Sequence, residues 1–247
     1  MKIKKVNDTS DSFHKEMPVF DLPFKILING KSQLSGKTTI ILNLLLLEDY
    51  GYDKVFKGKN IYIVSDNKLD NKLSMLADYK EIPEENIMSY DENQLSELYD
   101  EIEEKFIEEK ADNDIQYRLI IFDDVGYSGN LKNKQFGIIS KMISNGRHLN
   151  LSQIYTSQRF SMVNTTIRSN ITGAILFGSS TRERELINED LNYLENKKDF
   201  TKMFIKATEK PRDFLCINFT GKDGLYYDSE FEPINTNPSK DNEPTNN

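Results

Sequence analysis

Tryptophan is absent from this 247-residue chain, cysteine occurs once, and histidine twice. Each scarcity excludes something. Cys216 has no second cysteine to pair with, so no intramolecular disulfide forms and a reducing interior is the expected setting. With only His14 and His148 beside it, no Cys/His set has metal-ligand spacing, and a structural zinc site is not expected. Long apolar runs are missing too. The longest, Ile40 to Leu47, is interrupted by Asn43, whereas a membrane span needs about 20 residues. The lysines of the first ten residues have no apolar block behind them, so no signal peptide is expected either. What the chain does have is 14 Phe, 12 Tyr and 37% hydrophobic residues, enough apolar area for a sizeable core. Its length suits one α/β domain.

Negative charge is missing from one region. From Val125 to Thr181 there is no Asp or Glu, while Lys132, Lys134, Lys141, Arg147, Arg159 and Arg168 supply six positive charges. The whole chain carries −8, so everything outside that window carries −14. Between Glu81 and Asp114 the reverse holds, with fourteen acids against Lys105 and Lys110. Such a block is ordinarily the solvated face of a helix. An acidic chain does not coat nucleic acid indiscriminately, because phosphate neutralisation needs a basic surface, but the acid-free window supplies one locally.

Short apolar runs alternate with helical patterns. Phe24 to Asn29, Asn60 to Ser65, Tyr117 to Phe122, Gln153 to Thr156 and Ala174 to Phe177 read as strands. Thr38 to Leu47, Lys72 to Tyr79, Asn93 to Lys110, Lys134 to Asn145 and Arg182 to Leu194 read as helices, the third placing Leu95, Leu98, Ile102 and Phe106 on one face. Phe214 to Phe219 and Leu225 to Tyr227 could pair as a terminal hairpin. The pattern predicts a mostly parallel sheet covered by helices on both faces. Residues 1–16 are expected to be a flexible segment, 17–231 the folded domain, and the Pro-, Asn- and Thr-rich residues 232–247 a disordered tail.

Residues 30–39, Gly-Lys-Ser-Gln-Leu-Ser-Gly-Lys-Thr-Thr, lie between the first strand and the first helix, the placement a phosphate-binding P-loop requires. There Ser35, Gly36, Lys37, Thr38 and Thr39 would surround the phosphates of ATP, with the Lys37 ammonium on the β and γ oxygens and the Thr38 hydroxyl on Mg²⁺. The usual first glycine is replaced by Lys31. Either Gly30 serves in a loop one residue longer, or a non-glycine holds the first position.

Arg118 to Asp124 is an apolar strand ending in two carboxylates, the Walker B arrangement. Asp123 would hold Mg²⁺, and Asp124 would orient and deprotonate the attacking water. The plainer alternative is an Asp pair capping the next segment. Adjacent carboxylates repel, which raises one pKa, so the pair favours a hydrolase over a passive nucleotide sensor. Gln158 ends the strand that begins near Ser152, where an additional-strand P-loop ATPase carries the polar residue that reads the γ-phosphate. Arg147 follows Gly146 at a helix end. It is either a complement to the helix dipole or an arginine finger reaching a neighbouring subunit. His148 reads as structural, and Arg168 and Asn170 as packing or subunit contacts.

With these pieces in order, the chain resembles the genome-packaging ATPases of the FtsK and HerA superfamily, above all the poxvirus-type group of large DNA viruses and virophages. The likeness rests on Gly36-Lys37-Thr38, Ile120 to Asp124, Asn145 to His148, Ser152, Gln158 and Ile167 to Asn170, and covers about residues 20–180. It implies an additional-strand P-loop NTPase fold of the RecA-like kind. It further implies ATP and Mg²⁺ on Lys37, Thr38 and Asp123, with Asp124 catalytic, Gln158 the sensor and Arg147 the finger acting in trans. The expected function is a ring-shaped homo-oligomer that drives double-stranded DNA into a preformed capsid at the capsid or portal vertex, in the virion or a viral factory. Lys132 or Lys134 would grip DNA phosphates. About 70 residues follow the Ala174 strand, fewer than a terminase nuclease domain needs, so a motor without a nuclease is expected. The rival readings are a P-loop kinase acting as a monomer on a small acceptor, and a nucleotide-binding scaffold that only stabilises an assembly.

Overall fold

The computed structural model describes residues 20–31, 35–65, 71–124, 137–221 and 225–236. Among these the elements follow in the order β1 (Lys25–Asn29), α1 (Lys37–Leu46), β2 (Ile61–Ser65), α2 (Asn71–Lys80), β3 (Ile87–Met88), α3 (Glu92–Asp112), β4 (Arg118–Asp123) and α4 (Ile138–Asn145). There follow β5 (Leu151–Ser157), α5 (Thr165–Asn170), β6 (Gly173–Phe177), α6 (Thr181–Leu191), α7 (Lys197–Ala207), β7 (Phe214–Asn218) and β8 (Tyr226–Tyr227). The eight strands form one sheet in the order β3-β2-β4-β5-β1-β6-β7-β8. β1 to β6 run parallel, and β7 and β8 close one side as an antiparallel pair.

The central strands are buried along their whole length, so both faces are apolar and need cover. On one face Ile26, Ile28, Ile121, Ile154 and Ile175 pack against Ile41, Leu44 and Leu45 of α1 and Leu73 and Leu76 of α2. On the other, Leu27, Ile120, Phe122, Tyr155 and Leu176 meet Leu95 and Ile102 of α3, Met142 and Ile143 of α4, and Phe200 and Phe204 of α7. Phe122 and Tyr155 stack across β4 and β5 with ring centroids 4.9 Å apart.

The acidic block is a helix. Asp91 caps α3 by accepting from the N–H groups of Asn93 and Gln94, at 3.0 and 2.9 Å. The helix buries Leu95, Leu98, Tyr99 and Ile102 and turns most of its carboxylates to solvent. Glu109 instead receives the guanidinium of Arg118, which is 1% exposed, tying the end of α3 to the start of β4.

Three expectations are corrected. The strand read from Gln153 to Thr156 extends from Leu151 to Ser157, because its polar ends are partnered inside: the Ser152 hydroxyl accepts from the Phe24 N–H, and the Gln153 amide donates to the Met142 carbonyl. The helix read to Leu194 stops at Leu191, where the Asn192 side chain accepts from the Leu194 N–H and starts a turn. Residues 232–236, expected in the disordered tail, stay on the sheet. Pro233 pairs with Tyr227, the Ile234 N–H donates to the Tyr226 carbonyl, and Ile234 gains apolar contact with the core. The expected flexible segment 1–16, the rest of the tail from residue 237, and Lys132 and Lys134 lie outside the described residues.

Candidate active site

Parallel strands deliver their carboxyl ends to one edge of the sheet, and in α/β folds ligands bind there. Three strands bring candidate residues to this edge: β1 leads into the loop before α1, β4 ends in Asp123, and β5 ends just before Gln158. β5 lies between β1 and β4, in register with both.

The loop is built to be tight at both ends. A Cβ at Gly30 would lie 2.6 Å from the Ser35 Cβ and 2.8 Å from the Phe177 ring, so the glycine needed where the loop leaves β1 is Gly30. Lys31 is exposed, and its carbonyl accepts from the Ser35 hydroxyl at 2.7 Å. Residues 32–34 lie outside the described residues. Gly36 stands at the other end with φ 89° and ψ 23°, a left-handed conformation that suits glycine, and serves as N-cap of α1 without a side-chain cap. The first N–H groups of α1 therefore face the loop, the usual anion-binding geometry of a helix start. Thr38 is half-buried, and Thr39 is exposed and accepts from the Lys72 ammonium at 2.7 Å.

Lys37 is 8% exposed, and its ammonium donates to the Gly30 carbonyl at 3.0 Å. Burial pushes its pKa down, while the carboxylates of Asp124 and Asp123 oppose that shift. Lysine and both acids thus share one pocket of field. Asp123 is buried at the end of β4, and its Oδ1 accepts from the Thr156 hydroxyl at 2.8 Å. The same hydroxyl oxygen accepts from the Asp124 N–H at 2.8 Å. Asp124 leaves the strand with φ 53°, a left-handed turn that Asp tolerates better than most residues. Its Oδ2 accepts from the Gln158 side-chain amide.

Ser35, Gly36, Lys37, Thr38, Thr39, Asp123, Asp124 and Gln158 therefore gather at one edge. Arg147 does not join them. It lies in the turn Gly146–Leu149 before β5, at the amino edge, and seven strand residues at about 3.3 Å each set it roughly 20 Å from Gln158. Arg168 pairs with Asp190 and donates to the Val163 carbonyl, and the Asn170 amide donates to the Thr166 carbonyl, so both have partners within their own chain. The residue that sequence reasoning missed is Thr156. Its signal was a polar residue two positions before Gln158, on the same strand face.

A strand inserted between the P-loop strand and the paired-carboxylate strand, with a buried lysine beside those carboxylates, defines an additional-strand P-loop NTPase. The chain belongs to the Poxvirus A32 protein family, whose model matches residues 11–220. None of the curated protein sequences matches it. Among solved structures it is similar to B204, the DNA-packaging ATPase from Sulfolobus turreted icosahedral virus, with TM-score 0.57 and 16% identity over 87% of this chain and 99% of that one. The genome packaging NTPase B204 from Sulfolobus turreted icosahedral virus 2, in complex with ATP-γS, matches with TM-score 0.54 and 17% identity over 80% and 93% of the two chains. EssC ATPases 2 and 3 from Geobacillus thermodenitrificans match with TM-score 0.53 and 14% identity, over 83% of this chain and 38% of that one. At these identities the likeness is one of fold.

Proposed function

We propose that this protein is an ATP-driven motor that packages double-stranded viral DNA. The observation that carries the reading is the pair Asp123 and Asp124 held beside Lys37, with Gln158 on the second carboxylate. Membership of the Poxvirus A32 family supports a viral setting, and the reading places the motor at a capsid or portal vertex in a virion or viral factory.

Lys37 and the N–H groups at the start of α1 bind and orient the β and γ phosphates. Thr38 and Asp123 offer the hard oxygen donors that Mg²⁺ takes, and Lys37 beside them complements phosphate, so the residues fit the ion. Bound there, Mg²⁺ would neutralise charge developing on the phosphate oxygens. Asp124 accepts the proton of the attacking water. In the structure described, the Gln158 amide occupies that carboxylate, so the Gln158 contact must loosen for Asp124 to act, which suits a sensor of the γ-phosphate. Arg147, far from its own P-loop, can serve catalysis only in a neighbouring subunit of a ring, as a finger in trans.

The deciding experiment is the ATPase rate measured with and without double-stranded DNA over a range of protein concentration. A motor gives a rate that rises with both. A rate indifferent to DNA and proportional to a phosphoryl acceptor would replace this reading with a kinase.

A further inference from the structure

A second lysine stands beside the P-loop. β2 ends at Ser65, in register with Asp123, so the chain that continues into α2 sets out from the carboxyl edge of the sheet. Lys72, in the first turn of α2, donates from its ammonium to the hydroxyl oxygen of Thr39 at 2.7 Å, across 33 positions of sequence. Its backbone is firmly placed. The next residue, Leu73, is buried with Leu76 in the same core cluster as Ile41, Leu44 and Leu45 of α1. Packing of the two helices thus carries the ammonium to the loop, while the side chains of Lys72 and Thr39 stay exposed.

An exposed lysine on a neutral hydroxyl adds little to stability, because water offers the ammonium equivalent bonds. The contact matters more for the direction of the hydroxyl. A threonine hydroxyl has one proton and two lone pairs, and an ammonium only donates. With Lys72 on its oxygen, Thr39 directs its own proton to an acceptor elsewhere, and the positive charge polarises that O–H into a stronger donor. Thr39 follows Lys37 and Thr38 in the first turn of α1, where the N–H groups of the helix start favour an anion.

On the reading that the P-loop holds ATP, we infer that Lys72 is a positioning residue for the nucleotide: it turns the Thr39 hydroxyl into a donor for a phosphate oxygen. The phosphates common to ATP and ADP and the γ-phosphate of ATP alone share that chemistry. Place along α1 favours the common ones. Asp124 and Gln158 meet at the end where the γ-phosphate reacts, and Thr39 lies further along the helix, beyond Lys37 and Thr38. Lys72 then strengthens the grip on substrate and product alike, which is uniform binding and leaves the chemical step untouched.

The full-length chain tests this with a fluorescent N-methylanthraniloyl ADP and with steady-state ATPase kinetics. Lys72→Met keeps the stem and removes the charge. It should raise both the Kd for the ADP probe and the KM for ATP about fivefold, the size of one hydrogen bond, with kcat changed by less than about twofold. Lys72→Arg should restore most of the affinity. Thr39→Val should weaken the probe to a similar degree, and adding Lys72→Met to it should weaken it by less than about twofold more, because the lysine acts through the hydroxyl. Fully additive effects of the two substitutions overturn the proposal, as does an unchanged Kd for ADP in Lys72→Met. A fall in kcat with KM and ADP affinity unchanged overturns it too, by moving Lys72 to the γ-phosphate. Lys72→Met should unfold at the wild-type temperature, so the loss of affinity is not a loss of fold. Failure of the wild-type chain to bind the probe overturns the nucleotide site together with the role of Lys72, whereas a wild-type rate indifferent to DNA ends the motor reading alone and leaves the ADP titration to decide Lys72.

Discussion

At the carboxyl edge of the sheet Lys37 is buried beside Asp123 and Asp124; at the amino edge Lys25 is as deeply buried beside Arg147. Both lysines are desolvated, and both donate to a backbone carbonyl. The difference lies in the neighbours. Opposed carboxylates let the first site balance its charge within the chain and still offer groups for chemistry. At the second, the charge acting on the lysine among the described residues is the like charge of Arg147. The acid-free window from Val125 to Thr181 contains Arg147 and His148, so this turn brings no carboxylate of its own to the amino edge.

Substitutions sharpen the contrast, beginning with the largest expected effect. Asp124→Asn keeps shape and removes the proton acceptor, so kcat should fall about 10²- to 10⁴-fold with nucleotide binding retained; a near-normal rate would move the chemistry elsewhere. Thr156→Val removes the hydroxyl that joins Asp123 to the Asp124 N–H. One lost positioning contact corresponds to about tenfold in kcat, with Thr156→Ser restoring most of it. If Thr156→Ser is as slow as Thr156→Val, packing and not the hydroxyl matters. Gly30→Ala forces a methyl against Ser35 and Phe177, and urea unfolding should register a loss of about 1–3 kcal/mol. The smallest effect is at the amino edge and depends on pH. Lys25 titrates below its ordinary 10.5 in the native chain. As pH rises through the interval between its folded pKa and that value, the native state sheds the proton first and stability rises. Below the interval both states are charged and the burial cost is fully present. Lys25→Met should flatten this rise relative to wild type, as read from unfolding at a series of alkaline pH values.

Much of the carboxyl edge was legible in the sequence because its chemistry demands fixed spacing. Gly36-Lys37-Thr38 after a strand, Asp123-Asp124 at the end of another and Gln158 at the end of a third are local patterns, and the sheet order brings them together. Thr156 was hidden because a hydroxyl in a strand ordinarily signals only β propensity; its role arises from where Asp123 and Asp124 sit across the β4–β5 pairing. Lys25 was hidden for a similar reason, being one lysine among apolar residues with a partner 118 positions away. Helix α7 went unread because lysines at 197, 198, 202 and 206 mask the two residues, Phe200 and Phe204, that dock it on the core. β3 is two residues long and leaves no periodicity to find.

Strand β5 begins beside the turn that holds Arg147 and ends at the residue before Gln158, and it is hydrogen-bonded to β1 on one side and β4 on the other. A strand clamped on both sides neither stretches nor bends along its axis. The turn with Arg147 and the residue Gln158 are therefore kept at a set separation by the paired strand between them. In the proposed ring, those seven residues would be the direct covalent link between each chain's finger turn and its own γ-phosphate sensor.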